Sequence, residues 1–300
     1  MLEIKKFAAI DIGSNAIRLL IANVIVSDDR EPQFKKSSLV RVPIRLGADV
    51  FVNDGVISKA NITRMLNAME AFKLLMNIHG VEKYKACATS AMREASNGNE
   101  VTAEILSKTG VKIDVIGGKE EAAIISSTDL NELIEGDNSY LYVDVGGGST
   151  EFTLFSKGKI VISKSFKMGT VRLLNNKKAV NKEMFANVEK WIKKNTKDLK
   201  RISLIGSGGN INKIFKMSGR TEGKPISFIY LNAQYQFLKN MSYDDRISEL
   251  SLNPDRADVI IPATKIYLSA MKWSGARKIY VPKIGLSDGI IKTLYNNTLQ

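Results

Sequence analysis

Residues 7–24 read FAAIDIGSNAIRLLIANV and describe an apolar strand, a short polar turn and a second apolar strand. A hairpin of this kind needs a residue such as Gly13 in its turn, but it does not need an aspartate at the end of its first strand. Asp11 occupies that place, where an isolated carboxylate is costly unless another group compensates its charge. The sequence therefore predicts that Asp11 has a specific partner.

The same plan returns at residues 141–155, which read LYVDVGGGSTEFTLF. Asp144 takes the place of Asp11, and a turn of small residues again separates two apolar strands. An internal repeat at this separation predicts a duplicated domain with a cleft between the two halves. Strands and helices alternate along the rest of the chain, so the predicted fold class is α/β.

Bulk composition narrows the class of protein. The 300 residues are enough for two domains, and 44% hydrophobic with 25% charged residues is typical of a soluble globular protein. No apolar run is long enough for a signal peptide or a membrane span, so we expect no membrane partner. A single cysteine fits a cytoplasmic location, and a single histidine argues against a zinc site and a Ser-His-Asp triad.

The glycine-rich turns predict phosphate binding. Backbone N–H groups in such turns form a concave site for phosphate oxygens, and two facing carboxylates can hold Mg²⁺ together with water and phosphate. A third turn, LIGSGGN at residues 204–210, follows a short strand and precedes a helix. No Walker P-loop and no G-x-G-x-x-G fingerprint is present. The alternative is a pair of ordinary hairpins that contain Asx turns.

Finer motifs occur in one order along the chain, and they read DIGSNAIRLLI, ATSAMREASN, VIGGKEEA, VDVGGGSTEF, GSGGNI, RADVIIPA and GLSDGII. Together they resemble the exopolyphosphatase/guanosine pentaphosphate phosphohydrolase family. The resemblance implies two duplicated actin-like (ribonuclease H-like) domains that flank a cleft. We place the domains at residues 1–124 and 125–300, with the final helix, about 286–298, free to pack back on the first domain.

The resemblance also implies an activity. Members hydrolyse the terminal phosphoanhydride bond of inorganic polyphosphate, with release of phosphate by Mg²⁺-assisted attack of water. Mg²⁺ or another divalent cation is therefore the expected cofactor. The alternatives are a guanosine pentaphosphate 5′-phosphohydrolase, a kinase that uses the same fold, and a non-catalytic sensor of polyphosphate or an alarmone. No nucleic-acid partner is expected, and a homodimer is left open.

Site residues follow from the matched motifs. Glu121 matches the catalytic acid that would act as general base, although Glu120 stands beside it and only one of the two can face the cleft. Glu151 matches the second catalytic carboxylate. The expected metal ligands are Asp11, Asp144 and Glu151. The expected phosphate contacts are Ser14, Asn15, Arg93, Gly147, Gly148, Ser149, Gly208 and Gly209.

Positive charge is concentrated in one segment. The net charge is +13, and residues 157–201 contain 14 basic and three acidic residues, so the remainder is nearly neutral. A helix predicted near residues 182–200 has an apolar face and an opposite lysine face. On that face, Lys190, Lys193, Lys194 and Lys197 are candidate contacts for a long polyphosphate chain. The alternative is a lysine face that only contacts solvent.

One rival mechanism has a sequence basis. Cys87 and Arg93 have the C-x₅-R spacing of phosphatases that use a cysteine nucleophile. The intervening residues contain no glycine, and Cys87 falls within a predicted strand, where cysteine is usually a buried apolar residue. We therefore expect hydrolysis by activated water instead.

Overall fold

The computed structural model describes residues 2–52, 55–128, 138–199 and 201–297. The chain forms two compact units, of which the first contains residues 1–128 and 285–300 and the second contains residues 129–284. Each unit contains its own sheet and its own hydrophobic core.

The first unit begins with an antiparallel meander, to which two parallel strands are added on the β1 side, giving the order β3-β2-β1-β4-β5. Its strands are β1 (Leu2–Ile12), β2 (Ile17–Ser27), β3 (Arg30–Val42), β4 (Lys83–Ala88) and β5 (Ile113–Val115). The helices between them are α1 (Leu46–Val50), α2 (Lys59–His79), α3 (Ser90–Glu94), α4 (Gly98–Thr109) and α5 (Gly118–Ser126).

The second unit repeats this plan and adds one edge strand, giving the order β8-β7-β6-β9-β11-β10. Its strands are β6 (Ser139–Val145), β7 (Thr150–Ser156), β8 (Lys159–Phe166), β9 (Ile202–Ser207), β10 (Ile226–Ser227) and β11 (Lys278–Tyr280). Its helices are α6 (Thr170–Asn175), α7 (Lys178–Thr196), α8 (Gly209–Met217), α9 (Phe228–Asn240), α10 (Tyr243–Ser248), α11 (Pro254–Ala257) and α12 (Ile260–Ser274). The predicted α/β fold with a duplicated domain is confirmed.

The central strands explain why the repeat is apolar at its start. Residues 7–12 of β1 are all buried, as are residues 139–143 of β6. A central strand that is covered on both faces has an almost continuous apolar run rather than an alternating one. An aspartate near the end of such a strand is therefore held at the edge of the core, next to the turn.

The last helix, α13 (Leu286–Asn296), packs against β1, β2, β4 and α5 of the first unit. The chain leaves the first unit after Thr128 and returns to it at Gly285. The sequence prediction placed the domain boundary after residue 124 and left the final helix, about 286–298, free to pack back on the first domain. Contact between α13 and α5 is close: a Cβ atom at Gly289 would lie 2.2 Å from the carbonyl oxygen of Ile124.

Among the described residues, none of the helices combines the length and the apolar character that crossing a membrane requires.

Substitution of Gly289 by alanine should lower the free energy of unfolding by about 1–3 kcal/mol, because the new methyl group would force α13 away from α5. Gly117→Ala is the matched control, since a Cβ atom there has no neighbour within 4 Å and the backbone φ is −81°. Chemical denaturation of both variants checks this expectation. Equal stabilities for the two variants would contradict the close helix packing.

Candidate active site

Parallel strands bring three predicted residues of the first unit to one edge of its sheet. Asp11 lies next to the end of β1, Arg93 lies on α3 directly after β4, and Glu121 lies on α5 after β5. The carboxyl ends of parallel strands are the usual place for ligands in α/β proteins, because the loops that follow them meet there. The first unit therefore gathers these three side chains at its loop edge.

Asp11 has an ionic partner on the neighbouring strand. Arg18 lies opposite Asp11 in the β1–β2 register, and its Nη1 atom donates to Asp11 Oδ2 at 2.9 Å. The Asp11 side chain is 9% exposed and that of Arg18 is 37% exposed. Sequence reasoning missed Arg18, although both residues belong to the same quoted hairpin and the turn fixes their register. Arg18 therefore compensates the charge of Asp11, a role that the sequence prediction assigned to a divalent cation.

The two neighbouring glutamates of α5 differ in exposure. Glu121 is buried, with 9% of its surface accessible, whereas Glu120 is exposed. Arg93 is hydrogen-bonded to the segment that leads to this helix, because its Nη1 atom donates to the carbonyl of Ile116 at 2.6 Å. Its Nη2 atom makes a longer contact of 3.4 Å with Ser90 Oγ. Arg93 thus supports the position of α5 within the first unit, and its predicted contact with phosphate stays a prediction.

The two hairpin turns have matching backbone hydrogen bonds. Gly13 donates to the carbonyl of Ala16 at 3.1 Å, and in the second unit Gly146 donates to the carbonyl of Ser149 at 3.0 Å. In the first turn, the carbonyl of Ser14 accepts from the amide of Gly47 on α1 at 2.8 Å. The Ser14 side chain is buried, so its predicted role in phosphate binding and that of Asn15 stay predictions.

Helix α6 binds the carbonyl groups of the second turn. The carbonyl of Gly146 accepts from the Thr170 amide at 3.0 Å, and that of Gly147 accepts from the Val171 amide at 2.9 Å. The carbonyl of Gly148 accepts from Arg172 Nε at 2.9 Å. Helix α6 can approach so closely because Gly169 precedes it, where a Cβ atom would lie 2.3 Å from the Gly147 backbone.

These bonds determine the direction of the turn's amides. In a trans peptide the C=O and N–H groups point in opposite directions. Because three successive carbonyls point towards α6, the amides of Gly147, Gly148 and Ser149 point away from it. Consecutive amides with this orientation form a binding site for an anion such as phosphate.

The second unit places a carboxylate where the first has a guanidinium. Glu151 lies opposite Asp144 in the β6–β7 register, which is the place that Arg18 takes opposite Asp11. Side chains at directly opposite positions of antiparallel strands are close, and like charges there repel each other. A divalent cation that binds both carboxylates offsets this repulsion, so the donor set fits Mg²⁺. Among the described residues, no group of three or more histidine, cysteine, aspartate or glutamate residues has metal-binding geometry.

Two serine hydroxyls hold Glu151, which is only 2% exposed. Ser149 Oγ donates to Glu151 Oε1 at 2.6 Å, and Ser165 Oγ donates to the same oxygen at 2.8 Å. The sequence prediction expected Ser149 to contact phosphate. Because the Ser149 hydroxyl is bonded to Glu151, the backbone amide of Ser149 is the group left for that predicted contact. Sequence reasoning missed Ser165 because it lies 14 residues away on β8.

Asp144 is supported from the core by a buried phenol. Tyr142 precedes it by two residues on the same face of β6, and the Tyr142 hydroxyl lies 3.5 Å from Asp144 Oδ2. Burial and the nearby charge of Asp144 raise the pKa of Tyr142 and of Tyr267 well above the usual value. Both phenols therefore stay protonated and can donate hydrogen bonds, as Tyr267 does to the carbonyl of Ser207.

The third glycine turn adjoins the same carboxylate. Ser207 lies opposite Asp144 in the parallel β6–β9 register, and Gly208 follows with a φ of +113°. A Cβ atom at Gly208 would lie 3.5 Å from Asp144 Oδ1. Gly209 begins α8, so the amides of its first turn lie at the carboxyl end of β9. The second unit thus gathers both glycine turns and both carboxylates at one edge of its sheet.

Helix α7 has the two faces that its sequence predicts. The helix spans Lys178–Thr196, whereas the sequence prediction placed it near residues 182–200. Val188 and Ile192 are buried, Met184 and Trp191 pack against the same core, and Leu199 packs there from beyond the end of the helix. The four candidate lysines on the other face are exposed, and they are Lys190, Lys193, Lys194 and Lys197. Lys193 pairs with Glu189 one turn earlier at 2.6 Å. Binding of a polyphosphate chain by this face stays a prediction.

Comparison with known proteins identifies relatives over nearly the whole chain. A bifunctional 3-dehydroquinate synthase/phosphatase of Fusobacterium nucleatum is 32% identical over 302 residues, covering 91% of this chain and 44% of that protein. Exopolyphosphatase 2 of Mycobacterium tuberculosis is 26% identical over 321 residues, covering 98% of this chain and 99% of that protein. The chain thus spans less than half the length of the first relative and almost all of the second.

Solved structures support the fold. The crystal structure of an exopolyphosphatase from Cytophaga hutchinsonii has a TM-score of 0.85 at 22% identity and covers 98% of each chain. The Aquifex aeolicus member of the Ppx/GppA family has a TM-score of 0.79 at 23% identity, covering 99% of this chain and 100% of that one.

The model of the Ppx/GppA phosphatase family matches residues 25–298. Because this match includes most of the chain, the protein belongs to the Ppx/GppA phosphatase family.

Proposed function

We propose that this protein is an exopolyphosphatase that releases phosphate from the end of inorganic polyphosphate by attack of water. Membership of a phosphatase family confirms the predicted class of enzyme. The observation that carries the finer proposal is the second-unit edge, where three oriented turn amides adjoin the carboxylates Asp144 and Glu151. Anionic phosphoryl groups need both oriented donors and a cation, and this edge supplies the donors and the ligands for the cation.

Glu121 is proposed as the general base. Its burial next to the start of α5 sets it apart from the exposed Glu120, which is the property expected of a carboxylate that acts in a confined site. It would accept a proton from the attacking water as the bond to phosphorus forms. The hydrogen bond from Arg93 to the Ile116 carbonyl helps to hold the start of α5, and with it Glu121, in place.

Asp144 and Glu151 are proposed to hold the divalent cation, with Asp11 as a further candidate ligand whose charge Arg18 already compensates. When bound, the cation supplies positive charge to the phosphate oxygens as negative charge accumulates on them. The proposed phosphate contacts are the amides or side chains of Ser14, Asn15, Arg93, Gly147, Gly148, Ser149, Gly208 and Gly209. Within each unit, these groups would orient a bound phosphoryl group for attack by water.

The environment of Cys87 argues against the covalent alternative. Its side chain is fully buried, and burial raises the pKa of its thiol to about 12. The thiolate, rather than the thiol, is the nucleophile in cysteine phosphatases, and catalytic cysteines have lowered pKa values. Cys87 therefore fits a packing role in β4.

Purified protein should release phosphate from polyphosphate only with Mg²⁺ or another divalent cation, and chelation should lower the rate by at least about 100-fold, because the charged phosphate oxygens lose their main neutralising group. Phosphate release is measured on polyphosphate and, in parallel, on guanosine pentaphosphate. Preference for the nucleotide would assign the alternative substrate. Full activity in excess chelator would contradict the metal proposal, and binding of polyphosphate without release would indicate a sensor.

Replacement of Glu121 by glutamine should lower kcat by roughly 100-fold or more while polyphosphate still binds, since a glutamine cannot accept the proton from water. Glu120→Gln is the matched control, because it makes the same change on the adjacent exposed residue. Steady-state kinetics on both variants decide between the two positions. A loss confined to Glu120→Gln would move the base by one residue.

The lysine face of α7 is proposed as a contact for long polyphosphate chains. Lys190 and Lys194 share one exposed side of the helix, Lys197 follows as its C-cap residue and is also exposed, and the surrounding segment is strongly basic. A long polyanion would gain these contacts, whereas a short chain would occupy only the glycine turns. Electrostatic contacts of this kind are strongly salt-dependent.

Changing these three lysines to glutamine should raise KM for long chains roughly 10-fold at low salt and lower the slope of log KM against log salt by about two. KM for short substrates should stay near the wild-type value. Lys59, Lys83 and Lys112 changed together are the control, because they are exposed lysines of the first unit. Equal effects on short and long chains would refute this contact.

A further inference from the structure

We propose that Ser165 is a positioning residue that fixes the orientation of Glu151 for divalent-cation binding, an inference that rests on the proposed metal role of Glu151. Three side chains lie in a row across the second sheet: Asp144 on β6, Glu151 opposite it on β7, and Ser165 opposite Glu151 on β8. Glu151 therefore has a carboxylate on one side and a hydroxyl donor on the other.

Ser165 and Ser149 bind the same oxygen of Glu151. Ser149 Oγ lies 2.6 Å from Oε1, the distance of a strong charge-assisted hydrogen bond, and Ser165 Oγ lies 2.8 Å from it, the usual distance of an O–H···O hydrogen bond. Two donors on one oxygen restrict rotation of the carboxylate plane and make Oε1 different from Oε2. The carboxylate is thus held in one orientation at the site where a cation would bind.

The two serines differ in how they reach Glu151. Ser149 belongs to the glycine turn, so its position depends on the turn and on α6. Ser165 belongs to β8, and the β7–β8 ladder fixes its position independently. Loss of a group that hydrogen-bonds to a metal ligand typically lowers metal affinity or activity 10- to 100-fold. A substitution of Ser165 therefore removes one of the two hydrogen bonds to Glu151 without altering the glycine turn.

A purely structural role would predict a different result. If Ser165 only satisfied a buried carboxylate, its loss would lower stability and leave cation affinity unchanged. If it positions the carboxylate, its loss weakens cation binding even in a folded protein. The two roles are separated by measuring cation affinity and melting temperature on the same samples.

The test is Ser165→Ala, with Mg²⁺ and Mn²⁺ binding measured by titration calorimetry and with the Mg²⁺ concentration for half-maximal activity measured separately. We expect 10-fold weaker binding or more, a matching rise in the Mg²⁺ requirement, and a KM for polyphosphate that is close to wild type at saturating Mg²⁺. Ser165→Thr, which keeps the hydroxyl, should restore much of the affinity.

Ser163→Ala is the matched control. Ser163 lies two residues earlier on the same face of β8, and its hydroxyl bonds to Thr153 at 2.9 Å rather than to Glu151. Its cation affinity should equal that of the wild type. If Ser165→Ala does not fold, Ser165→Cys replaces it, because a thiol has a similar shape and is a weak donor.

Wild-type cation affinity in Ser165→Ala, or an equal loss in Ser163→Ala, would overturn the proposal, as would a wild-type protein that binds neither ion. Failure of the proposed function gives a different result, since the wild type would then bind the ions without metal-dependent release of phosphate. The calorimetric comparison of Ser165→Ala with Ser163→Ala still decides the role of Ser165 in that case.

Discussion

The register between the first two strands of each sheet determines the charge at each candidate edge. In both units a largely buried strand has an aspartate one residue before its end, and the residue directly opposite on the second strand is fixed by the hairpin turn. That residue is Arg18 in the first unit and Glu151 in the second. One backbone arrangement therefore gives a neutralised carboxylate in one copy and a pair of carboxylates in the other.

The phosphate-binding proposal depends on the same hairpins through the short helix that follows the third strand of each unit. Helix α6 binds the carbonyls of the second turn, so that its amides face away from the helix. Helix α1 contributes one equivalent bond, from Gly47 to the carbonyl of Ser14. The orientation of the turn is thus a property of the meander as a whole, and glycine is needed at position 169 because the helix packs so closely on the turn.

Sequence patterns predicted the elements with strong local signals. The repeat was visible because both central strands are apolar and both end in the same Asp-x-Gly turn. The lysine and apolar faces of α7 followed from helical periodicity. Sequence patterns could not predict the roles of Ser165 and Arg172. Ser165 contacts Glu151 across the β7–β8 ladder, and Arg172 contacts the Gly148 carbonyl from the helix that follows. The packing of α5 decides which of Glu120 and Glu121 is buried. Because the two residues are identical neighbours, the sequence alone could not distinguish them.

The return of α13 to the first unit depends on close helix packing and on capping of the helix start. Gly289 lacks a side chain where α13 meets the backbone of α5, and Asp288 accepts from the amide of Gly285 at 3.0 Å at the start of the helix. Asp288 also pairs with Lys36 of β3 at 2.7 Å. The quoted GLSDGII motif is therefore explained by packing and helix capping within the first unit. The residues of this motif contact the sheet that carries Asp11 and the helix that carries Glu121. A motif by which the chain resembles a phosphatase family can therefore stabilise the candidate site without taking part in the reaction.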